Sequence, residues 1–209
     1  MTSTAELVIQ LENVHRRFGP KIIFQEKNIL FKGPGLIGIT GVNGRGKSTL
    51  LKILAGLMRP DQGHVSISVN GLILAEDQWP KSLVLSGPYI DLPEQIRLKE
   101  LLALHKHLLG KLYRTTAESK LLDLAGLLNE QNQFIQAFSS GMKQRVRLLL
   151  AFLSDVPFWL LDEPASNLDQ AGFEFYSHIV GQEKNIRLIL VASNQPESEL
   201  LDAKEIYEL

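Results

Sequence analysis

Apolar positions recur along this chain with two different periods. Residues 6–14 (Glu-Leu-Val-Ile-Gln-Leu-Glu-Asn-Val) alternate well enough to predict a strand. Arg17-Phe18-Gly19-Pro20 reads as a turn, and Lys21 to Phe31 as more strand. Leu36 to Ile39 is a short apolar run of the kind a buried strand needs, and Thr49 to Ala55 follows as a helix. Arg59 to Gly63 is built from turn residues, His64 to Val69 reads as a strand, and Asn70-Gly71 before Leu72-Ile73-Leu74 is a two-residue hairpin signal.

The period changes at residue 97. Leu98, Leu101, Leu102, Leu104, Leu108 and Leu109 recur at helical spacing. So do Leu121, Leu122, Leu124, Leu127 and Leu128, and then Val146, Leu148, Leu149 and Phe152. Residues 97–153 therefore read as a helical insertion of about three helices, their leucine stripes forming core. Strand character returns at Phe158 to Asp162 and at Arg187 to Val191, which is read as the last strand, with a short helix running on to Leu209. Strands alternating with helices after residue 150 predict an α/β fold: a mainly parallel sheet with helices on both faces, beside N-terminal antiparallel hairpins.

Composition narrows the function little. The 209 residues suit one domain, or a domain with a subdomain, and 44% hydrophobic residues can bury a sizeable core. A net charge of −1 offers no global attraction for nucleic acid or an anionic membrane. The absence of cysteine excludes disulfides and Cys-ligated metals and is compatible with a cytoplasmic setting. Met1 to Glu6 lacks the basic start of a signal peptide, and no stretch reaches the ~18 uninterrupted apolar residues of a membrane span. Any membrane role would need another chain to cross.

The chemistry concentrates at Gly41-Val42-Asn43-Gly44-Arg45-Gly46-Lys47-Ser48-Thr49, which fits the phosphate-loop pattern G-x-x-x-x-G-K-[ST] between a strand and a helix. Glycines let successive N–H groups converge on one spot, and the helix N-terminus aims its dipole there. Lys47 would add a point charge for β- and γ-phosphates, and the Ser48 hydroxyl is placed for Mg²⁺. Downstream, the apolar Phe158 to Leu161 ends in Asp162 and Glu163. Beside a phosphate loop, Asp162 is a candidate Mg²⁺ ligand and Glu163 a candidate to polarise an attacking water. Ser139 reads as an N-cap; the helix start behind it is either an ordinary cap or a second anion site. Phe18 is either a core residue flanking a turn or a platform for a purine base. His105 and His107, two apart on one helix, read as exposed helix residues rather than metal ligands.

In motif order and spacing the chain resembles the ATP-binding cassette (ABC) ATPases over nearly its whole length. Gly41–Thr49 looks like their Walker A, and Phe158–Glu163 like their Walker B followed by the catalytic glutamate. Phe138-Ser139-Ser140-Gly141-Met142 resembles their signature motif, with Ser140 in place of its first glycine, and Ser166-Asn167-Leu168-Asp169 is similar to their D-loop. The resemblance implies a P-loop NTPase in one nucleotide-binding domain. Residues 1–96 and 154–209 would form the core with its antiparallel β subdomain, and 97–153 the helical subdomain.

It further implies ATP and Mg²⁺ as cofactors. ATP would be held by Phe18, Gly41, Asn43, Gly44, Gly46, Lys47, Ser48 and Thr49, and by Ser139 and Gly141 across a head-to-tail homodimer or a pair with a similar subunit. Mg²⁺ would fall to Ser48 and Asp162, and catalysis to Glu163 and Asn194. A permease in the membrane would be the other partner, holding the protein on the cytoplasmic face; helical-insertion residues and Tyr89-Ile90 are candidates for docking it, local packing being the alternative for that pair.

Two positions depart from the family. Asn194 stands where a switch histidine is expected, and can hydrogen-bond but not carry the charge of His⁺. Ser86-Gly87-Pro88-Tyr89 stands where the Q-loop glutamine is expected, with Gln78 and Gln95 too far along the chain. A weakly hydrolysing, ATP-dependent dimerisation module is therefore the second reading. A guanine-recognition N-K-x-D is absent, as are the tandem cassettes or long coiled coil of translation and DNA-repair relatives. The short single-domain build is similar to small bacterial export subunits, the haem-exporter ATPase among them.

Overall fold

The computed structural model describes residues 5–200 and 202–209. Residues 1–4, which the sequence reading took as lacking a targeting signal, lie outside them. The strands are β1 (Leu7–Phe18), β2 (Lys21–Gly33), β3 (Gly35–Thr40), β4 (Gln62–Val69), β5 (Leu72–Ile73), β6 (Leu83–Ser86), β7 (Phe158–Asp162), β8 (Leu188–Ala192) and β9 (Glu205–Glu208). The α-helices are α1 (Lys47–Leu54), α2 (Leu98–Leu109), α3 (Glu118–Leu124), α4 (Ser140–Leu153), α5 (Gln170–Glu183) and α6 (Pro196–Glu199).

Two sheets form. An antiparallel one has the order β2-β1-β4-β5, and a parallel one the order β6-β7-β8-β3-β9. The central parallel strands are buried on both faces and sort their side chains by period 2. Phe158, Leu160, Leu188, Leu190, Ile37 and Ile39 share one core with α1 and the antiparallel sheet. Trp159, Leu161, Ile189, Val191 and Leu36 share the other with α2, α3, α4 and α5. The helical segment 97–153 thus completes the second core. Phe152 of α4 stacks on Trp159 with ring centroids 5.1 Å apart and meets Phe175 of α5 edge-on at 5.4 Å. Charge reinforces this layer. Arg114 makes a bidentate pair with Glu183 at 2.7 and 2.8 Å, and Arg187 reaches Glu183 and Asp155 at 2.5 Å each.

Three sequence expectations are corrected. The chain does not end in a helix. α6 has four residues, and Glu205-Ile206-Tyr207-Glu208 pairs in parallel with β3 as an edge strand. The ladder groups of β3 need a partner there, and the alternation of these residues supplies one. The β1 strand continues to Phe18, so the turn is Gly19-Pro20 alone and Phe18 pairs with Lys21. Finally, the leucine stripe of α2 is only partly core. Leu98, Leu101 and Leu102 are buried, whereas Leu104 and Leu108 are exposed. At 100° per residue the inward stripe continues through position 105, not 104 or 108. His105 is accordingly half-buried, its Nε2 2.9 Å from the Leu150 carbonyl, and only His107 is exposed as expected.

Truncating Phe152 to Ala removes an aromatic that both elements of the second core pack on. Urea denaturation should register a loss of about 3–5 kcal/mol, with Phe152→Leu losing clearly less; equal losses would mean that refilling the volume recovers nothing and that the ring contacts carry the effect.

Candidate functional site

The site follows from the sheet. Strands β7, β8 and β3 are adjacent and parallel, with Asp162 abreast of Ala192 and Ala192 abreast of Ile39. Three chain segments therefore leave the sheet at one edge: Glu163 after β7, Ser193-Asn194 after β8, and Thr40-Gly41 at the end of β3. In open α/β sheets this carboxyl edge is where ligands bind.

The loop after β3 is tightly constrained. Gly41, Gly44 and Gly46 adopt φ values of 139°, 80° and 107°, open to glycine and strained for other residues. A Cβ on Gly46 would lie 2.4 Å from the Ile23 side chain, and one on Gly41 would lie 3.0 Å from the Leu209 carbonyl oxygen. The β1–β2 hairpin thus packs on one side of the loop and the end of β9 on the other. α1 starts at Lys47 with no side-chain cap, leaving its first N–H groups to converge on the loop. Lys47 is 6% exposed and its Nζ donates 2.6 Å to the Gly41 carbonyl, which holds the ammonium across the loop. Asn43 and Gly44 are exposed at the tip, and Ser48 and Thr49 lie half-buried in the first turn of α1.

Asp162 is 1% exposed, and neither of its carboxylate oxygens has a hydrogen-bond partner of acceptable geometry. Burial pushes its pKa up, opposed chiefly by the Ser48 hydroxyl. A buried, unpartnered carboxylate facing a serine hydroxyl and backed by the phosphate loop is a donor set that suits a hard divalent cation, so Ser48 and Asp162 fit Mg²⁺. Glu163 turns out of the strand with φ 47°, an uncommon conformation for a residue with a side chain, while its N–H donates 2.8 Å to Ala192 O. The Asn194 amide donates to Glu163 Oε1. The two sequence-predicted catalytic candidates are thus in direct contact.

The remaining candidates lie around this centre. Phe18 is 44% exposed at the end of β1, and the Arg16 guanidinium lies 4.6 Å from its ring centroid. Arg16 in turn pairs with Asp61 at 2.9 Å. Phe18 is therefore not a core residue, and a cation already covers part of its ring. Ser139 caps α4, its Oγ accepting from Met142 N at 3.2 Å. A Cβ on Gly141 would lie 2.8 Å from the Asn167 carbonyl oxygen, so this glycine permits close packing on the 166–169 loop. Asp169 caps α5 and pairs with Arg145 of α4. Gln144 donates 2.9 Å to Pro164 O, joining α4 to the turn after Glu163. Among the described residues, no hydrogen bond joins Ser139 or Gly141 to residues 41–49.

Sequence reasoning missed three groups here. Glu199, 5% exposed, accepts 2.7 Å from the Ala165 N–H, and burial pushes its pKa up. Ser86 and Tyr89 bring buried, unpartnered hydroxyls to the same region. None has a sequence signature, since each is defined only by what it faces. Gln78 and Gln95, too far along the chain to stand in for the Q-loop glutamine, are both exposed, and Gln78 caps the short turn after Ala75.

A phosphate-loop helix, a polar residue after the neighbouring strand β8 and an ionisable pair at the mouth of the next strand, β7, define a nucleoside-triphosphate-binding P-loop protein. Comparison with known proteins narrows the class. Residues 28–166 match the family model described as ABC transporter. The cytochrome c biogenesis ATP-binding export protein CcmA of Xylella fastidiosa (strain 9a5c) is 37% identical over 151 residues, 71% of this chain and 65% of that protein. The protein of the same name from Agrobacterium fabrum is 32% identical over 194 residues, 88% of each chain. A solved dimeric, post-hydrolysis ATP-binding cassette bound to ADP and phosphate superposes with a TM-score of 0.79, at 21% identity and 96% of each chain. The chain belongs to the ABC transporter family, and it is an ATPase of that class.

The orphaned carboxylate has a consequence for the unliganded protein. Asp162→Asn removes a buried charge that no well-formed hydrogen bond offsets, so the metal-free variant should be more stable than the parent by about 0.5–2 kcal/mol. Thermal unfolding in chelator checks this; a lower melting temperature would mean that the carboxylate is satisfied without a cation.

Proposed function

We propose that this protein is the ATP-hydrolysing subunit of an ABC transporter, and that ATP-driven closure of a dimer moves separate membrane subunits. The observation that supports it best is the contact between Asn194 and Glu163 beside the buried carboxylate of Asp162 and the phosphate loop. In this reading the N–H groups of residues 41–49 and the Lys47 ammonium hold the β- and γ-phosphates, with Phe18 under the base. Ser48 and Asp162 would hold Mg²⁺, which when bound neutralises charge on the phosphates. Glu163 accepts a proton from the attacking water, and Asn194 fixes the carboxylate so that its free oxygen faces that water. The amide does this without a titrating proton of its own, so Asn194 substitutes for a histidine in orientation and not in charge.

Ser139 and Gly141 act in trans, on the γ-phosphate held by a second copy or a similar subunit. The α4 N-terminus and the 166–169 loop are packed together by Gly141, so a partner would meet both as one surface. The names of the CcmA relatives support an export role. Among the described residues no helix is long and apolar enough to cross a membrane. In this proposal a separate chain crosses the membrane and this one works on its cytoplasmic face. The weakly hydrolysing dimerisation module is the second reading, supported by Asn194. Glu163, retained and hydrogen-bonded, favours hydrolysis.

Steady-state ATP hydrolysis measured against protein concentration, with Lys47→Ala as the blank, tests the proposal. The specific rate should rise with concentration, as a composite dimer site requires. Glu163→Gln should lower the rate by about 10²–10³-fold and trap an ATP-bound dimer visible by size-exclusion chromatography. An unchanged rate would remove Glu163 from the chemistry. Asn194→Ala should lower kcat with little change in KM, because it loosens the carboxylate and leaves nucleotide contacts intact.

A further inference from the structure

We propose that Tyr89 is a positioning residue of the divalent-cation site: its phenol, with the Ser86 hydroxyl behind it, orients the Asp162 carboxylate toward the cation. The inference rests on the nucleotide-site reading above and extends it to residues that no motif marks.

The topology brings these groups together. β6 pairs with β7 in parallel, with Ser86 abreast of Leu161, so the chain leaves β6 one residue short of Asp162. Gly87 then allows close approach: a Cβ there would sit 3.1 Å from Asp162 Cβ and 3.1 Å from Cε1 and Cζ of Tyr89. The tyrosine ring and the carboxylate thus pack against the same bare glycine. On its other side the ring is held from α1, where Lys52 Nζ lies 3.8 Å from the ring centroid. Lys52 is one helical turn beyond Ser48, on the same face of α1. The ring therefore bridges the helix that carries one candidate cation ligand and the strand end that carries the other.

The hydrogen-bond inventory shows what this arrangement is for. Ser86 Oγ, the Tyr89 hydroxyl and both Asp162 oxygens are buried, and none has a partner of acceptable geometry. Buried polar atoms are almost always paired. The two Asp162 oxygens and the Tyr89 hydroxyl meet beside Gly87, with Ser86 the residue before that glycine, and unpaired polar groups brought together in this way mark a place for a further charged group. A neutral phenol has one proton to give. Directed at one Asp162 oxygen, it leaves the other for the cation and fixes the rotation of the carboxylate. Were Tyr89 only a packing residue, its hydroxyl would gain nothing from burial, and phenylalanine would serve as well.

The test uses the full-length protein and a non-hydrolysable ATP analogue, whose binding is followed by calorimetry across a Mg²⁺ titration begun in chelator. Tyr89→Phe should bind the analogue without metal within about twofold of the parent, yet need on the order of 10-fold more Mg²⁺ for half-saturation. Ser86→Ala should shift it in the same direction by less. Thermal unfolding in chelator should leave both variants folded. Half-saturation at the parent Mg²⁺ concentration in Tyr89→Phe overturns the inference, as does loss of its metal-free binding, which would assign the phenol to the nucleotide or the fold. Failure of the underlying reading looks different. There the parent protein would bind the analogue no better than Lys47→Ala at any Mg²⁺ concentration.

Discussion

Ladder hydrogen bonds between β7, β8 and β3 run without a register shift, and the rest of the molecule depends on that alignment. Parallel strands in register end together, so a carboxylate, an amide and a phosphate-binding loop that lie far apart in the chain reach one edge. A slip of one residue in β7 would turn Asp162 from the site to the opposite face, and would exchange Trp159 and Leu161 with Phe158 and Leu160 between the two cores. Packing prevents it. The two sets differ in shape, and the Trp159 ring is enclosed by Phe152 and by the Arg187 guanidinium, 5.1 Å from its centroid.

Around that edge the structure tolerates features that stability alone would remove. Asp162 is buried without a partner, Glu163 holds a left-handed backbone, and glycines occupy positions where a Cβ would collide with Ile23 or Leu209. The Glu163 backbone alone costs on the order of 1–3 kcal/mol, the buried carboxylate is unfavourable through lost solvation, and the glycines cost chain entropy on folding. They are offset elsewhere, by two continuous cores and by the partly buried Arg114–Glu183–Arg187 network. Their concentration at one end of the sheet identifies this as the end shaped by ligand chemistry.

The helical segment links that chemistry to surfaces beyond it. Gln144 bonds to the turn after Glu163, Arg147 Nε donates 2.8 Å to Ile90 O beside Tyr89, and Arg145 pairs with Asp169. One helix thus touches the strand end, the loop after β6 and the 166–169 loop. A path of hydrogen bonds runs from the end of β7 into α4, whose N-terminus carries Ser139 and Gly141. The Tyr89 hydroxyl is turned inward, while Leu104 and Leu108 of α2 expose apolar side chains.

The amino-acid sequence by itself determined the local chemistry. A glycine-rich loop between an apolar run and a helix has one geometry, because glycine alone tolerates its backbone, and Gly41 to Thr49 were legible for that reason. Asp162 and Glu163 were legible as the end of a buried strand, and Ser139 as a cap, since both depend on neighbours in sequence. Tertiary structure decided whatever depends on a distant partner. Residues 205–208 became a strand because β3 offered an unpaired edge. His105 went inward because it, and not Leu104, lies on the packed face of α2. The Asn194–Glu163 contact, the covering of Phe18 by Arg16 and the orphaned hydroxyls of Ser86 and Tyr89 all join residues that no spacing rule connects. They came within reach only when the parallel register brought the strand ends to one edge.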